Sequence, residues 1–499
     1  MLASDPRSPA ELPIALDRRS EASLPVQLAA ALREAIDGGA LRPGEALPAT
    51  RGLAARLGVA RGVVVAAYEQ LTAEGYLLSG HGRGTAVHPE LGAVRGRTAA
   101  ASSPAPARGA VAGAPAPAPQ RGSADPPQPA GPLAVGVPDT SAVDTPAWRA
   151  AWRRAATRAH LEAPELGDPR LREEIAEHLR RMRGTQRAAE DVIVTAGARD
   201  GLHLLLTALA ARRGGGLAIG VEDPGYPSLR RVAARHSAEI VALPVDAEGL
   251  DPRRLPERGL DAVIVTPSHQ YPLGGSLPLA RRRELLAWAA GASAVIVEDD
   301  YDSELRYAGS PLPALAALDD PVTGSVALLG TFSKTVSPAL SAGYLLAPAA
   351  LRAVIEPVRH ELGGPVSAVV QAALAEYLAG GELRRHTARM RRRYAARREL
   401  VMARLGGIPG VRVRPMSGGL HAVLELGSDA RAAAAEREVC AATAEQGLGA
   451  VALSGYWQRR GKVEGERFGL VVGTGGPDAA AFERALDALR AILLARSKG

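Results

Sequence analysis

The chain has 499 residues and a single cysteine, Cys440, which rules out an internal disulfide and any metal cluster built on thiolates. Aromatic side chains make up only 3% of it, so a core must be assembled from Leu, Val, Ala and Ile. No stretch reaches the ~18 apolar residues that a membrane-spanning helix needs. Met1-Leu2-Ala3-Ser4-Asp5-Pro6 lacks the charged and apolar regions of a secretion signal. These absences point to the cytoplasm, with no membrane partner and no metal. A surplus of positive charge is missing where it would matter for nucleic acid. The formal charge is +7, yet residues 1–88 hold nine Arg against nine Asp or Glu. Any case for DNA must therefore rest on where particular arginines fall.

Lysine is scarcest among the basic residues: Lys334, Lys462 and Lys498 stand against 57 arginines. Arginine stays protonated, whereas a lysine amine can lose its proton in a buried site and attack a carbonyl. Lys334 sits in Gly330-Thr331-Phe332-Ser333-Lys334-Thr335, just after the apolar run Val326-Ala327-Leu328-Leu329. Another apolar run, Ala294-Val295-Ile296-Val297, ends in Glu298-Asp299-Asp300-Tyr301-Asp302. A lone lysine at one strand end and an acid at another suggest a pyridoxal phosphate site. There the lysine forms a Schiff base and the acid pairs with the pyridine nitrogen.

Residues 89–131 are mostly Ala, Pro, Gly, Arg and Ser, including Ala114-Pro115-Ala116-Pro117-Ala118-Pro119. With no period and few large apolar residues they read as a flexible linker. It separates an N-terminal module, residues 15–88, from a C-terminal one, residues 132–499. In the first, Leu28, Leu32, Ala35 and Ile36 form a helical stripe. Thr50 is placed to cap a short second helix broken by Gly58, and a third helix carries Val63, Val64, Ala67, Tyr68 and Leu71. Tyr76-Leu77-Leu78 and Thr85-Ala86-Val87 then flank a glycine-rich tip as a two-stranded wing.

This layout is a winged helix-turn-helix. Leu47-Pro48-Ala49-Thr50-Arg51-Gly52-Leu53-Ala54-Ala55-Arg56-Leu57-Gly58-Val59-Ala60-Arg61, with Ala67-Tyr68-Glu69-Gln70-Leu71 and Glu74-Gly75-Tyr76-Leu77, closely resembles the GntR family of DNA-binding domains. The resemblance implies that Thr50, Arg51 and Arg61 face DNA from helix starts. It also implies that Arg83 and Gly84 form the wing tip. The chain departs from the family at Ala60 and Gly62, where small hydroxyl residues are usual, so two backbone contacts are in doubt.

From about Leu133 onward strands and helices alternate. Val192-Ile193-Val194-Thr195, Leu217-Ala218-Ile219-Gly220, Ala262-Val263-Ile264-Val265 and the two runs above are expected strands of an α/β, mostly parallel sheet. Ligands should gather outside the carboxyl ends of these strands. Gly197-Ala198-Arg199, Glu222-Asp223-Pro224-Gly225-Tyr226-Pro227 and Thr266-Pro267-Ser268-His269-Gln270-Tyr271-Pro272 fall there. With Gly167-Asp168-Pro169, Glu304-Leu305-Arg306-Tyr307 and Gly418-Gly419-Leu420-His421, they resemble fold-type I aminotransferases with a smaller C-terminal subdomain. More narrowly, the chain resembles the MocR/GabR regulators, which fuse a GntR head to that fold.

The resemblance implies that Lys334 holds pyridoxal phosphate, Asp299 pairs with the ring nitrogen and Tyr301 meets the phenolic oxygen. Tyr226 would stack on the ring, with Gln270 or Tyr271 near the phenolic oxygen. Thr331, Ser333 and the amides of Ala198 and Arg199 would cradle the phosphate. His269 is expected to support the site rather than act as a base, and His421 to pack. Two departures matter. Position 341 is Ser where the family has a phosphate-gripping arginine, with Arg199 as a candidate substitute for it. Val471 and Val472 fill the stretch where relatives can carry a carboxylate-binding arginine, and Arg467 is the nearest basic residue.

The resulting expectation is a homodimeric transcription regulator that binds double-stranded operator DNA. It would sense pyridoxal phosphate, or an amine or amino-acid-like ligand that reacts with it. The alternatives are a working aminotransferase with an accessory head, and a cofactor-free regulator with a vestigial pocket.

Overall fold

In the computed structural model the described residues are 14, 16–17, 24–37, 40–73, 76–80, 84–89, 130–158, 164–307, 313–458 and 465–497. Arg83, Lys462, Lys498 and nearly all of the expected linker lie outside them.

The N-terminal part consists of α1 (Leu24–Asp37), α2 (Thr50–Leu57), α3 (Arg61–Ala73) and an antiparallel pair, β1 (Leu77–Gly80) and β2 (Gly84–Val87). Leu28 and Leu32 of α1 bury against Leu53, Val64, Ala67 and Leu71, and Leu77 and Val87 close the cluster. Gly58 takes a left-handed φ of 62° and its N–H turns back to the Ala54 carbonyl, which stops α2. The turn before α3 follows from that one residue. The cap assigned to Thr50 is corrected: Ala49 occupies the N-cap without a side-chain bond, and Thr50 is the first helical residue. Its Oγ1 instead accepts from Arg61 Nε at 3.3 Å, tying the starts of α2 and α3 together.

The C-terminal part opens with α4 (Pro146–Ala156), α5 (Pro169–Arg183), β3 (Val192–Thr195), α6 (Ala198–Arg213), β4 (Ala218–Asp223) and α7 (Pro227–Arg235). It continues through β5 (Glu239–Asp246), β6 (Gly249–Leu250), β7 (Ala262–Val265), α8 (Leu279–Ala292), β8 (Val295–Asp300), α9 (Leu315–Leu318), β9 (Val326–Thr331) and β10 (Gly343–Leu346). One sheet runs in the order β3-β10-β9-β8-β7-β4-β5-β6. Its centre, from β5 through β4, β7 and β8 to β9, is parallel, while β10 runs antiparallel between β3 and β9. The strands read as unbroken apolar runs because both faces are covered. Val194, Val263, Val265, Ile296 and Leu328 pack on one face against Leu171, Ile175 and Leu179. Their neighbours Ile193, Ala262, Ile264, Val297 and Leu329 pack on the other against Leu202, Leu205 and Leu351. That alternation is the two-residue period of a strand.

Next come α10 (Ala349–Leu362), α11 (Ala368–Ala379), α12 (Glu382–Leu405), β11 (Arg412–Val413), β12 (His421–Gly427), α13 (Ala430–Glu445), β13 (Val451–Ala452), β14 (Phe468–Gly473) and α14 (Ala479–Ser497). The last four strands form a separate antiparallel sheet, β11-β12-β14-β13. Leu424, Leu470 and Val472 of that sheet bury against Val401, Val439 and Leu486 of α12, α13 and α14. A large mixed sheet and a small antiparallel one are therefore joined through α12. Among the described residues no helix is long and apolar enough to cross a membrane.

Candidate cofactor and DNA sites

Parallel pairing of β8 with β9 sets Asp299 beside Leu329 and Asp300 beside Gly330, so both strands end at one edge of the sheet. Lys334 follows β9 in a short loop at that edge. A cavity of about 290 Å³ opens there and is lined by Lys334, Asp299, Tyr301, Tyr226 and Tyr271, with Ala198, Arg199, Thr331 and Ser333 at one end. Residues from five strand ends, up to more than 130 positions apart in sequence, thus line one cavity.

Lys334 Nζ donates to the Gly136 carbonyl at 2.5 Å. Gly136 has a φ of +76°, a backbone conformation that favours glycine, and a Cβ there would stand 2.9 Å from the end of the Lys334 side chain. Burial holds the Lys334 ammonium below its ordinary pKa, Asp302 and Asp299 oppose that shift, and Arg199 adds to it. Asp299 is 4% exposed. Burial, with Asp300, Asp302 and Glu222 close by, pushes its carboxyl up to about 8, and Lys334 works in the other direction. Burial thus biases both the Asp299 carboxyl and the Lys334 amine towards their neutral forms.

The residues expected to cradle a phosphate stand at two chain turns. Gly197, with φ +100°, precedes α6, and Ala198 and Arg199 are its first residues. Their position gives the cavity a helix start with unsatisfied amides. Asp200 Oδ2 steadies this turn by accepting from the Ala196 N–H at 3.0 Å and from Arg359 at 2.9 Å. Across from it, the Thr331 hydroxyl accepts the Ser333 N–H at 3.1 Å and lies 2.9 Å from the Ser333 hydroxyl. Ser341 lines the same cavity at φ 44°. Arg199 is exposed to solvent and reaches the site from its rim.

The tyrosines differ in their engagement. Tyr226 and Tyr271 meet edge to face with centroids 5.4 Å apart. Tyr301 Oη donates to the His269 carbonyl at 2.9 Å and is 3.0 Å from His269 Nδ1, which also faces Asp302 Oδ2 at 2.9 Å. His269 is therefore held between Tyr301 and Asp302. Gln270 does not line the cavity. Its amide donates to the carbonyls of Pro224 and Tyr271, each at 2.8 Å, so of the pair only Tyr271 faces inward.

Several lining residues escaped the sequence reading of the site, Gly136, Asp302 and His421 among them. Gly136 belongs to a segment with no motif, and Asp302 is hidden in a run of acids. His421, read as packing, also lines the cavity. Its Nε2–H donates to the Pro272 carbonyl at 2.9 Å, and burial followed by His269 lowers its pKa to about 4, so it is neutral. Arg467, Val471 and Val472 are absent from the lining residues. The two valines are buried in the small sheet instead.

In the N-terminal part, Arg51 and Arg61 are exposed on the first turns of α2 and α3, next to Thr50. Gly84 opens β2 with φ +76° and an unobstructed Cβ position. Two exposed guanidinium groups at neighbouring helix starts can reach backbone phosphates and base edges of a duplex.

Residues 132–455 match the family Aminotransferase class I and II, and residues 24–87 match Bacterial regulatory proteins, gntR family. The chain is 45% identical over 461 residues to the HTH-type pyridoxine biosynthesis transcriptional regulator PdxR of Corynebacterium glutamicum, covering 92% of this chain and 95% of that one. It is 34% identical to the probable rhizopine catabolism regulatory protein MocR of Rhizobium meliloti, with 78% of each chain covered. Among solved structures, an archaeal alanine:glyoxylate aminotransferase superposes with a TM-score of 0.65 at 20% identity, covering 74% of this chain and 91% of that one.

Proposed function

The chain belongs to the GntR/MocR-type transcriptional regulators, in which a GntR head is fused to an aminotransferase-fold domain, and from that premise we propose that it senses pyridoxal phosphate and controls genes for making it. The observation that carries this reading is the composition of the cavity. Its basic side chains among the described residues are Lys334 and Arg199 alone, since His421 is neutral. One amine and one guanidinium suit an aldehyde and a phosphate. No further cation remains to hold a substrate carboxylate, which a transaminase needs. The similarity to a regulator named for pyridoxine biosynthesis supports the same assignment.

The residues fit the cofactor. Gly136 leaves space at Lys334 Nζ, Asp299 is buried on the cavity wall, and two hydroxyls face a helix start. Bound there, pyridoxal phosphate supplies an aldehyde reactive towards amines and a ring that draws electrons. Lys334 supplies the amine, whose lowered pKa keeps more of it unprotonated at neutral pH. Asp299 holds a proton at the carboxyl that would face the ring nitrogen. Tyr226 and Tyr271 would flank the ring, Tyr271 from a buried position and Tyr226 from the open side. Ala198, Arg199, Thr331 and Ser333 would hold the phosphate, and Tyr301, steadied by His269, would meet the phenolic oxygen.

The head binds operator DNA through Thr50, Arg51, Arg61 and the wing, and a homodimer presents two heads to a repeated half-site. Duplexes selected from a random library on the purified full chain provide the test. Fluorescence anisotropy should show operator affinity shifting by roughly 5- to 150-fold on adding pyridoxal phosphate, the usual range of coupling between sites. The shift should vanish in Lys334→Ala. Equal affinity with and without the cofactor would refute the sensing role.

A further inference from the structure

A second cavity, of about 380 Å³, shares the Asp302 wall with the first. It forms where the end of α5, the segments after β7 and β8, and the middle of α12 meet. Four arginines line it: Arg183, Arg306, Arg391 and Arg392.

The charges there do not cancel. Arg183 is satisfied, since its Nε donates to Asp300 at 2.9 Å and its Nη2 to the Ser268 hydroxyl at 2.7 Å. Of the lining acids, Asp302 faces His269 and Glu304 faces His178 at 2.8 Å. Arg306, Arg391 and Arg392 form no ion pair among the described residues. Arg306 spends Nη1 on the Ser276 hydroxyl at 2.9 Å, and its buried Nε has no partner. His269, only 4% exposed, lines the same cavity with a buried and unpartnered Nε2. Asp302 acts on Arg306 and Arg391 on Glu304 through space, so two carboxylates face three guanidinium groups, and such a surplus in a concave, partly buried space is costly unless an anion completes it.

We propose that this cavity is a binding site for a small phosphate-bearing anion, gripped by Arg306, Arg391 and Arg392 and separate from the cofactor cavity. Three guanidinium forks, two from α12 and one from the segment after β8, suit a tetrahedral group with three outward oxygens better than a flat carboxylate. The hydroxyls of Ser303 and Ser417 on the same walls add donors. The volume of about 380 Å³ suits a small molecule. The inference does not rest on the cofactor reading, because it uses none of that site's phosphate-cradle residues.

Isothermal titration of the full chain, preincubated with pyridoxal phosphate, tests it with inorganic phosphate and glycerol 3-phosphate as probes. Neither probe carries an aldehyde, so neither can react with Lys334. One saturable site is expected. Arg306→Gln combined with Arg391→Gln should weaken it by about tenfold or more, as loss of charge-assisted contacts requires. Arg392→Gln, at an exposed position that spares the fold, should weaken it by roughly threefold. Ser333→Ala, in the cofactor cradle, should leave it unchanged. Tighter binding of glycerol 3-phosphate would mark an organic phosphate as the ligand, and tighter binding of phosphate the free ion. No saturable heat, unchanged affinity in the arginine variants, or loss confined to Ser333→Ala would each overturn the proposal. The last result would put the phosphate in the cofactor cradle.

Discussion

Replacing Arg199 with Gln tests how the phosphate end of the cofactor cavity is built. A family arginine is missing at Ser341, and Arg199 is the guanidinium on the lining. A charge-assisted hydrogen bond to a phosphate contributes about 1.5–3 kcal/mol. Arg199 is solvent-exposed at the start of α6, and exposure cuts such contacts towards ~1 kcal/mol. The loss should therefore be about 1–2 kcal/mol, or roughly 5- to 30-fold in the dissociation constant of pyridoxal phosphate. A second consequence follows from sign. Arg199 lowers the Lys334 pKa, so its removal raises that pKa and leaves less free amine at neutral pH. Loading should then be slower as well as weaker. Ser341 lines the same cavity in a left-handed conformation that already carries an L side chain. Ser341→Arg in the Arg199→Gln background should recover at least half of the lost free energy. Absorbance titration at several pH values gives both the affinity and the loading rate. An unchanged dissociation constant in Arg199→Gln would refute the argument and assign the phosphate to the amides, Thr331 and Ser333 alone. Failure of Ser341→Arg to rescue would show that the two positions do not serve one phosphate.

Lys334→Ala should abolish the visible absorption of the bound cofactor and its trapping by borohydride while leaving circular dichroism intact; label found on Lys462 or Lys498 would displace the assignment. Arg51→Ala and Arg61→Ala should each weaken operator binding by about 1–3 kcal/mol where the arginine reads a base, with cofactor absorbance unchanged. Wild-type affinity in both would remove the head's assigned DNA face. Asp299→Asn should stabilise the cofactor-free chain at pH 8. The carboxyl of Asp299 is raised from 3.8 to about 8, so the folded state holds its proton more tightly than the unfolded one. Stability is then lost as pH climbs from about 4 to about 8. The amide carries no such charge, so its gain in melting temperature should shrink towards pH 4; a gain that is constant with pH would refute the assignment.

Much of this protein was written locally. The strands β3, β4, β7, β8 and β9 are visible as apolar runs because a sheet covered on both faces needs no polar alternation. Lys334 stands out because lysine is nearly absent elsewhere, and Asp299 because it ends a strand. The head could be read from Gly58 and the helical stripes around it, features that a few neighbouring residues decide.

Tertiary structure settled what depends on distant partners. The short strand β10 is held antiparallel by β3 and β9 and gives little signal of its own. The Gly136 carbonyl meets Lys334 across 198 positions of sequence, so the contact is invisible until the chain closes. Gln270 and Tyr271 are adjacent and were equal candidates. Only the carbonyls of Pro224 and Tyr271 decide that Gln270 turns away. The arginines of the second cavity read in sequence as solvated charges on helices and loops. Their concentration is a property of packing, because α5, the segment after β8 and α12 bring them together and leave too few carboxylates to answer them. Sequence specifies which groups are available, while the direction each faces and the charge it meets follow from three-dimensional closure.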